Sequence, residues 1–170
     1  GLLENLCHAI KIALDLKISK KIIEKTIPKI FFEGRLQYLS KGKIKNRLYK
    51  NEKIMIDGAH AEADAKNLAN YLKTIKFPKY GIWAMMKNKE PNQFIKHFKG
   101  IFKKLITIPI ENEQSSMSSK ELYQIALKNK FNAEKADNFN VALKKVSSKE
   151  KKLLVCFGSL YSCGNILNKN

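Results

Sequence analysis

Apolar residues in the first 17 positions fall at Leu3, Leu6, Ile10, Ala13 and Leu14, the spacing of one helix face. Ser19 then reads as the N-cap of a short helix through Ile22 and Ile23 that ends near Pro28. Beyond this the pattern changes. Compact apolar runs at 54–56, 80–86, 105–110 and 153–157 read as strands buried on both faces. Between them the apolar positions return to helical spacing: Ala61, Ala65, Leu68, Ala69 and Leu72; then Phe94, Ile95, Phe98, Ile101 and Phe102. Two more helices follow, one through Leu122, Ile125 and Ala126, and one through Phe139, Ala142, Leu143 and Val146. The polar, basic stretch 39–51 reads as a hairpin or loop, 111–119 as a loop, and 129–135 as a short strand or turn. A last short helix follows Gly158-Ser159. Alternating strands and helices of these lengths predict a doubly wound α/β domain. Its sheet is mainly parallel with helices on both faces, and a short helical extension precedes it. Residues 1–33 form the extension and 34–170 the α/β domain.

Composition narrows the class. An apolar content of 44% is enough for a core, and no run approaches the length of a membrane span. The chain opens Gly-Leu-Leu-Glu-Asn, with neither a basic signal-peptide start nor a Met, as a fragment or processed chain would. Cys7, Cys156 and Cys163 have no metal-type spacing and cannot all pair, which suits a reduced, cytoplasmic setting. The net charge of +18 favours nonspecific attraction to nucleic acid. Against a sequence-reading role, only Arg35 and Arg47 of the 33 basic residues are arginine, the usual reader of bases.

Candidate chemistry gathers where strands hand over to helices. Asp57, Gly58 and His60 follow the run 54–56, and Ser159 follows the run 153–157. Ligands of α/β folds bind at the carboxyl ends of strands, and a helix start offers free backbone N–H groups to an anion. Arg35 lies in Gly34-Arg35-Leu36-Gln37; its planar fork can hold two oxygens at once. His8 and His97 read as solvent-facing, Trp83, Met85 and Met86 as core, and Cys156 as a buried strand residue without a nucleophilic role. Ser115, Ser116 and Ser118 lie in a loop that could touch a ligand.

Asp57-Gly58-Ala59-His60, together with Gly34-Arg35-Leu36-Gln37 and Gly158-Ser159-Leu160-Tyr161, resembles the C-terminal domain of the Mur ligase superfamily. The resemblance is strongest to the folylpolyglutamate synthase/dihydrofolate synthase branch. It departs from that pattern at Ala61, where the family usually has Asn, and Lys89-Glu90 only loosely echoes the family's Lys-Asp pair. The resemblance implies ATP-dependent, ADP-forming addition of glutamate to folate or dihydropteroate. It implies nucleotide-binding roles for Arg35 and Asp57, a catalytic role for His60, and a glutamate-binding role for Ser159 and His60. It makes residues 1–33 the tail of an ATP-binding domain that is otherwise absent. The phosphate loop and the Mg²⁺ ligands lie in that domain or in a separate chain that supplies it. No Gly-x-x-x-x-Gly-Lys-Ser/Thr occurs in these 170 residues, so the chain alone is expected to be inactive. The alternatives are a basic α/β module that binds nucleic acid and a nonfunctional remnant that keeps the fold.

Overall fold

The structure, a computed structural model, describes residues 2–170. Two compact units divide between Glu33 and Gly34. The first holds α1 (Leu2–Asp15), α2 (Lys20–Thr26) and a 3-10 turn, Ile27–Lys29. Ser19 caps α2, its Oγ accepting the Ile22 N–H at 3.4 Å. Leu6, Ile10, Ala13, Ile23 and Ile27 line a shared apolar hollow, yet none of residues 3–33 is buried. Leu3, Ile12, Leu16, Phe31 and Phe32 are each at least 60% exposed. A two-helix piece this small cannot enclose a core of its own.

The second unit carries a six-stranded sheet in the order β1-β2-β6-β3-β4-β5. The strands are β1 (Gln37–Tyr38), β2 (Glu52–Asp57), β3 (Lys79–Trp83), β4 (Lys104–Thr107), β5 (Ala133–Lys135) and β6 (Lys152–Phe157). Only β1 runs antiparallel. The helices are α3 (Lys43–Asn46), α4 (Glu62–Lys73), α5 (Pro91–Lys96), α6 (Ser119–Lys128), α7 (Phe139–Val146) and α8 (Leu160–Leu167). Strand side chains alternate between two cores. Leu153, Val155 and Phe157 of β6 pack with α4, α5 and α6, while Leu154 and Cys156 pack with α3, α7 and α8. The fold is thus a doubly wound, mainly parallel α/β domain with helices on both faces.

Chain order moves outward from β2 to β5 and then returns to insert β6 between β2 and β3. That reversal places β6 at the centre, buried along its whole length. Aromatic rings anchor its last residue: Phe157 lies 4.8 Å from Phe98, 5.1 Å from Phe102 and 5.9 Å from Phe94, centroid to centroid. Burying one such ring contributes about 1.5–3 kcal/mol, so the chain leaves β6 from a fixed point. At the opposite end Glu52 and Lys152 face each other across β2 and β6, both buried, 3.5 Å apart. Glu52 also accepts from Ser147 Oγ at 2.7 Å and from the Ser148 and Tyr49 N–H groups at 2.8 and 2.9 Å.

Several local expectations are corrected. The stretch 39–51 contains the helical turn α3, held from afar: Asn170 accepts the Lys43 N–H on its backbone oxygen and the Ile44 N–H on its side chain. The helix expected through Phe102 stops at Lys96, and Gly100 at φ +76 turns the chain, so irregular backbone buries Phe98 and Ile101. The second apolar run, 80–86, leaves the sheet after Trp83, although Met86 still bridges to Ser116. The serine loop is tied down rather than loose. Ser116 Oγ accepts the Ile110 N–H at 2.7 Å and donates to the Met117 carbonyl. His97 is half-buried and paired with Glu62 at 3.2 Å, not simply solvent-facing.

Candidate functional site

Asp57 and Phe157 are cross-strand partners at the carboxyl ends of β2 and β6. The turns Gly58-Ala59-His60 and Gly158-Ser159 therefore leave the sheet side by side, beside the reversal in strand order, where α/β folds open a crevice. The segment at Gly34 joins them, its carbonyl accepting the Gly58 N–H at 2.6 Å. Approach is too close for side chains. A Cβ on Gly58 would lie 2.2 Å from Leu160 Cδ2. One on Gly158, which sits at φ +105, would lie 2.2 Å from the Ala84 carbonyl oxygen. The three short signatures noted in the sequence thus converge on one edge of the sheet.

Asp57 is buried, and both its oxygens are engaged. Oδ2 accepts the Leu36 N–H and Oδ1 the Ala59 N–H, each at 2.8 Å. Burial pushes its carboxyl above the usual range, with Asp64 adding to the effect. The Leu36 and Ala59 N–H groups and the nearby Arg35 charge oppose it. Asp57 therefore holds Leu36 in the left-handed region, φ +44, and with it the backbone of half-exposed Arg35. The same carboxylate fixes the turn that leads to His60.

His60 is half-buried, and its Nδ1 lies 2.7 Å from the Gly58 carbonyl. A carbonyl can only accept, so Nδ1 carries the hydrogen and Nε2 of the neutral ring carries the lone pair. The imidazole can then accept a proton at Nε2, but can hold an anion there only as imidazolium. The start of α4 is less open to anions than the sequence suggests. Ala61 supplies no side-chain cap, but Glu62 and Asp64 place carboxylates in the first turn, and Asp64 Oδ2 lies 3.5 Å from the His60 N–H.

Ser159 is buried and caps α8, its Oγ accepting the Tyr161 N–H at 3.2 Å. Its hydroxyl hydrogen is not used by that bond. Cys163, one turn into α8, would meet a Cβ on Gly34 at 3.1 Å. Its thiol is pushed up to about 12, chiefly by burial and then by the Asp57 charge, so it fills space and does not attack. Burial, and then the nearby Cys163, also raise the Cys156 thiol well above its usual value.

Sequence reasoning gave no role to Leu36, Leu160 or Cys163, because their roles depend on packing across the sheet edge. A positive φ at Leu36 leaves no mark in the residue type. Trp83 is core, as its apolar run predicts. Its indole N–H is also a buried donor without a hydrogen-bond partner, beside Gly158. Among the described residues no group of three or more His, Cys, Asp or Glu could hold a metal ion. No described helix is long and apolar enough to cross a membrane.

The profile of the family described as dihydrofolate synthetase, C-terminal domain, matches residues 40–169. No curated protein sequence matches the chain. Solved structures show the same fold. E. coli FolC in complex with DHPP and ADP aligns with a TM-score of 0.72 at 16% identity, covering 88% of this chain and 34% of that one. Mycobacterium tuberculosis folylpolyglutamate synthase complexed with ADP gives a TM-score of 0.75 at 16% identity, with 88% and 35% covered. The Yersinia pestis bifunctional folylpolyglutamate synthase/dihydrofolate synthase, complexed with AMPPNP and a Mn ion, gives 0.71 at 16% identity, with 88% and 34% covered. The chain spans about a third of the length of these enzymes.

Proposed function

The chain belongs to the dihydrofolate synthetase C-terminal domain family, and from that membership we propose that it serves an ATP-dependent ligase joining glutamate to folate or dihydropteroate. One observation carries the reading: the Gly34, Gly58 and Gly158 turns meet at the carboxyl ends of β2 and β6. In this reading residues 1–33 are the end of a nucleotide-binding domain and 34–170 the domain that closes over it. That nucleotide-binding domain, in the same or a separate chain, supplies the phosphate loop and the divalent ion. No metal-held step is assigned to the described residues.

The reaction has two steps. A folate carboxylate oxygen attacks the γ-phosphorus of ATP, the bond to the bridging oxygen breaks, and ADP leaves. The glutamate amine then attacks the acyl phosphate carbon, and phosphate departs as the amide forms. Arg35 is assigned to the nucleotide phosphates, where a cation offsets the charge that builds up during transfer. Asp57 holds the Arg35 segment at the nucleotide. His60 accepts a proton at Nε2 from the incoming glutamate ammonium, which must lose one before it can attack. Ser159 uses its remaining hydroxyl hydrogen, with the first turn of α8, on the glutamate carboxylate.

The test is reconstitution. The purified chain is mixed with the nucleotide-binding domain of a dihydrofolate synthetase, and ADP release is followed with dihydropteroate and glutamate. We expect no turnover from the chain alone and glutamate-dependent turnover from the mixture. Replacing Arg35 or His60 by Ala should remove at least about 100-fold of that rate. Steady turnover by the chain alone would overturn the divided site. Turnover that survives both substitutions unchanged would overturn the residue assignments.

A further inference from the structure

The acids and bases of the α/β unit are unevenly placed. Helices that follow parallel strands run back toward the strands' amino ends, so α5 and α6 both finish at the edge opposite the candidate site. Lys96 and Lys99 at the end of α5, and Lys128 and Lys130 at the end of α6, surround a single hollow together with Asn129. All four lysines are exposed. Two acids elsewhere on the unit pair with other lysines: Glu150, just before β6, with Lys103, and Glu134 of β5 with Lys104 and Lys145. Among the described residues, none of the four lysines makes an ion pair with an acid.

Helix ends alone do not account for this concentration. A helix C-terminus carries about half a negative charge, so two ends offset roughly one of four ammonium groups. Lys99 and Lys130 lie beyond the last helical residues; their backbone N–H groups turn back to the Lys96 and Leu127 carbonyls, while their exposed ammonium groups make no ion pair among the described residues.

We propose that this lysine-lined hollow is a binding seat for the phosphate backbone of a single nucleic-acid strand, separate from the ligase chemistry. The hollow and the four exposed ammonium groups around it suit a narrow polyanion. Lysine without arginine supplies point charges for phosphates and no fork for base edges, so binding is independent of sequence.

The test uses the whole chain and fluorescein-labelled poly(U), read by anisotropy between about 50 and 200 mM salt. The hollow variant is Lys99→Glu/Lys130→Glu. The control is Lys120→Glu/Lys135→Glu, which makes the same change in net charge at the carboxyl edge. Circular dichroism confirms that both fold. We expect the control to bind nearly as the parent does. The hollow variant should bind at least about tenfold more weakly, its salt slope reduced by about 0.7 for each phosphate that is no longer neutralised. Equal weakening in the two variants would show diffuse charge and overturn the seat. Absence of poly(U) binding at the lowest salt would overturn it too, as would a hollow variant that binds poly(U) like the parent and fails only on anionic vesicles.

Discussion

Leu36 donates its backbone N–H to Asp57 Oδ2 at 2.8 Å, across 21 residues of chain. The bond ties the segment bearing Arg35 to the end of a buried strand, so the guanidinium rests on a rigid scaffold although its own backbone is irregular. Asp57→Asn places an amide where two N–H donors converge, and one of them must go unpaired. We expect a loss of about 1–3 kcal/mol in unfolding free energy. Amide exchange should speed selectively at residues 34–36. Unchanged protection of both the Leu36 and the Ala59 amides would show that the carboxylate does not hold these turns.

Gly58 and Leu160 offer a test of convergence that does not depend on activity. A Cβ on Gly58 meets the end of the Leu160 side chain at 2.2 Å and its Cα at 3.2 Å. Gly58→Ala should therefore cost about 1–3 kcal/mol by overpacking. Leu160→Ala should recover part of that loss in the double variant, because it removes the nearer obstacle. Chemical denaturation of the parent, both singles and the double measures the coupling. Simple additivity would mean that the two turns do not touch.

Gly158→Ala has no such remedy. Its Cβ meets a backbone oxygen, Ala84 O, at 2.2 Å and the Trp83 ring at 2.7 Å, and the residue sits at φ +105. Overpacking and left-handed strain act together, so the expected cost exceeds about 3 kcal/mol. Trp83 is the sole tryptophan and lies against the altered turn. Its emission should shift before global unfolding, which separates local from general damage.

The parts of this fold that could be read in the sequence are those whose residues declare their own environment. The runs 54–56 and 153–157 are apolar throughout because both faces of β2 and β6 are covered, and the Gly-Ser break after Phe157 marks where cover ends. α3 could not be read, because Lys43 and Ile44 form a helical turn only with Asn170 as their partner, 126 residues away from Ile44. The end of α5 was missed because Phe98, Ile101 and Phe102 keep helical spacing while irregular backbone buries them. At the candidate site, the resemblance of three short signatures singled out Arg35, Asp57, His60 and Ser159. It was silent on the engagement of both Asp57 oxygens and on the burial of Ser159.

α6 begins with a reciprocal cap. Ser118 Oγ accepts the Glu121 N–H at 3.2 Å, and Glu121 accepts the Ser118 N–H at 2.7 Å. The Ser118 hydroxyl and N–H hold the Glu121 carboxyl below its usual range. A carboxyl depressed in the folded state contributes stability above its unfolded value of 4.5, and that contribution is lost as pH falls through the folded value. Glu121→Gln keeps one side of the cap but cannot titrate. Melting temperatures of the parent and the variant should therefore converge as the pH drops below 4.5. A constant difference over that range would remove Glu121 from the acid limb.

The Gly58 carbonyl commits the His60 ring to one tautomer, and this can be measured on the free protein. Most neutral histidines in water carry the hydrogen on Nε2; here the 2.7 Å contact requires it on Nδ1. In ¹⁵N spectra of the neutral ring, Nδ1 should show the shift of a protonated nitrogen and Nε2 that of a bare one. The consequence for binding follows directly. A carboxylate placed at Nε2 of the neutral ring meets a lone pair and finds no donor. An ammonium group placed there finds an acceptor, as a proton-accepting role for His60 requires. A protonated Nε2 in the neutral ring would reverse both expectations and would take the proton-accepting role away from His60.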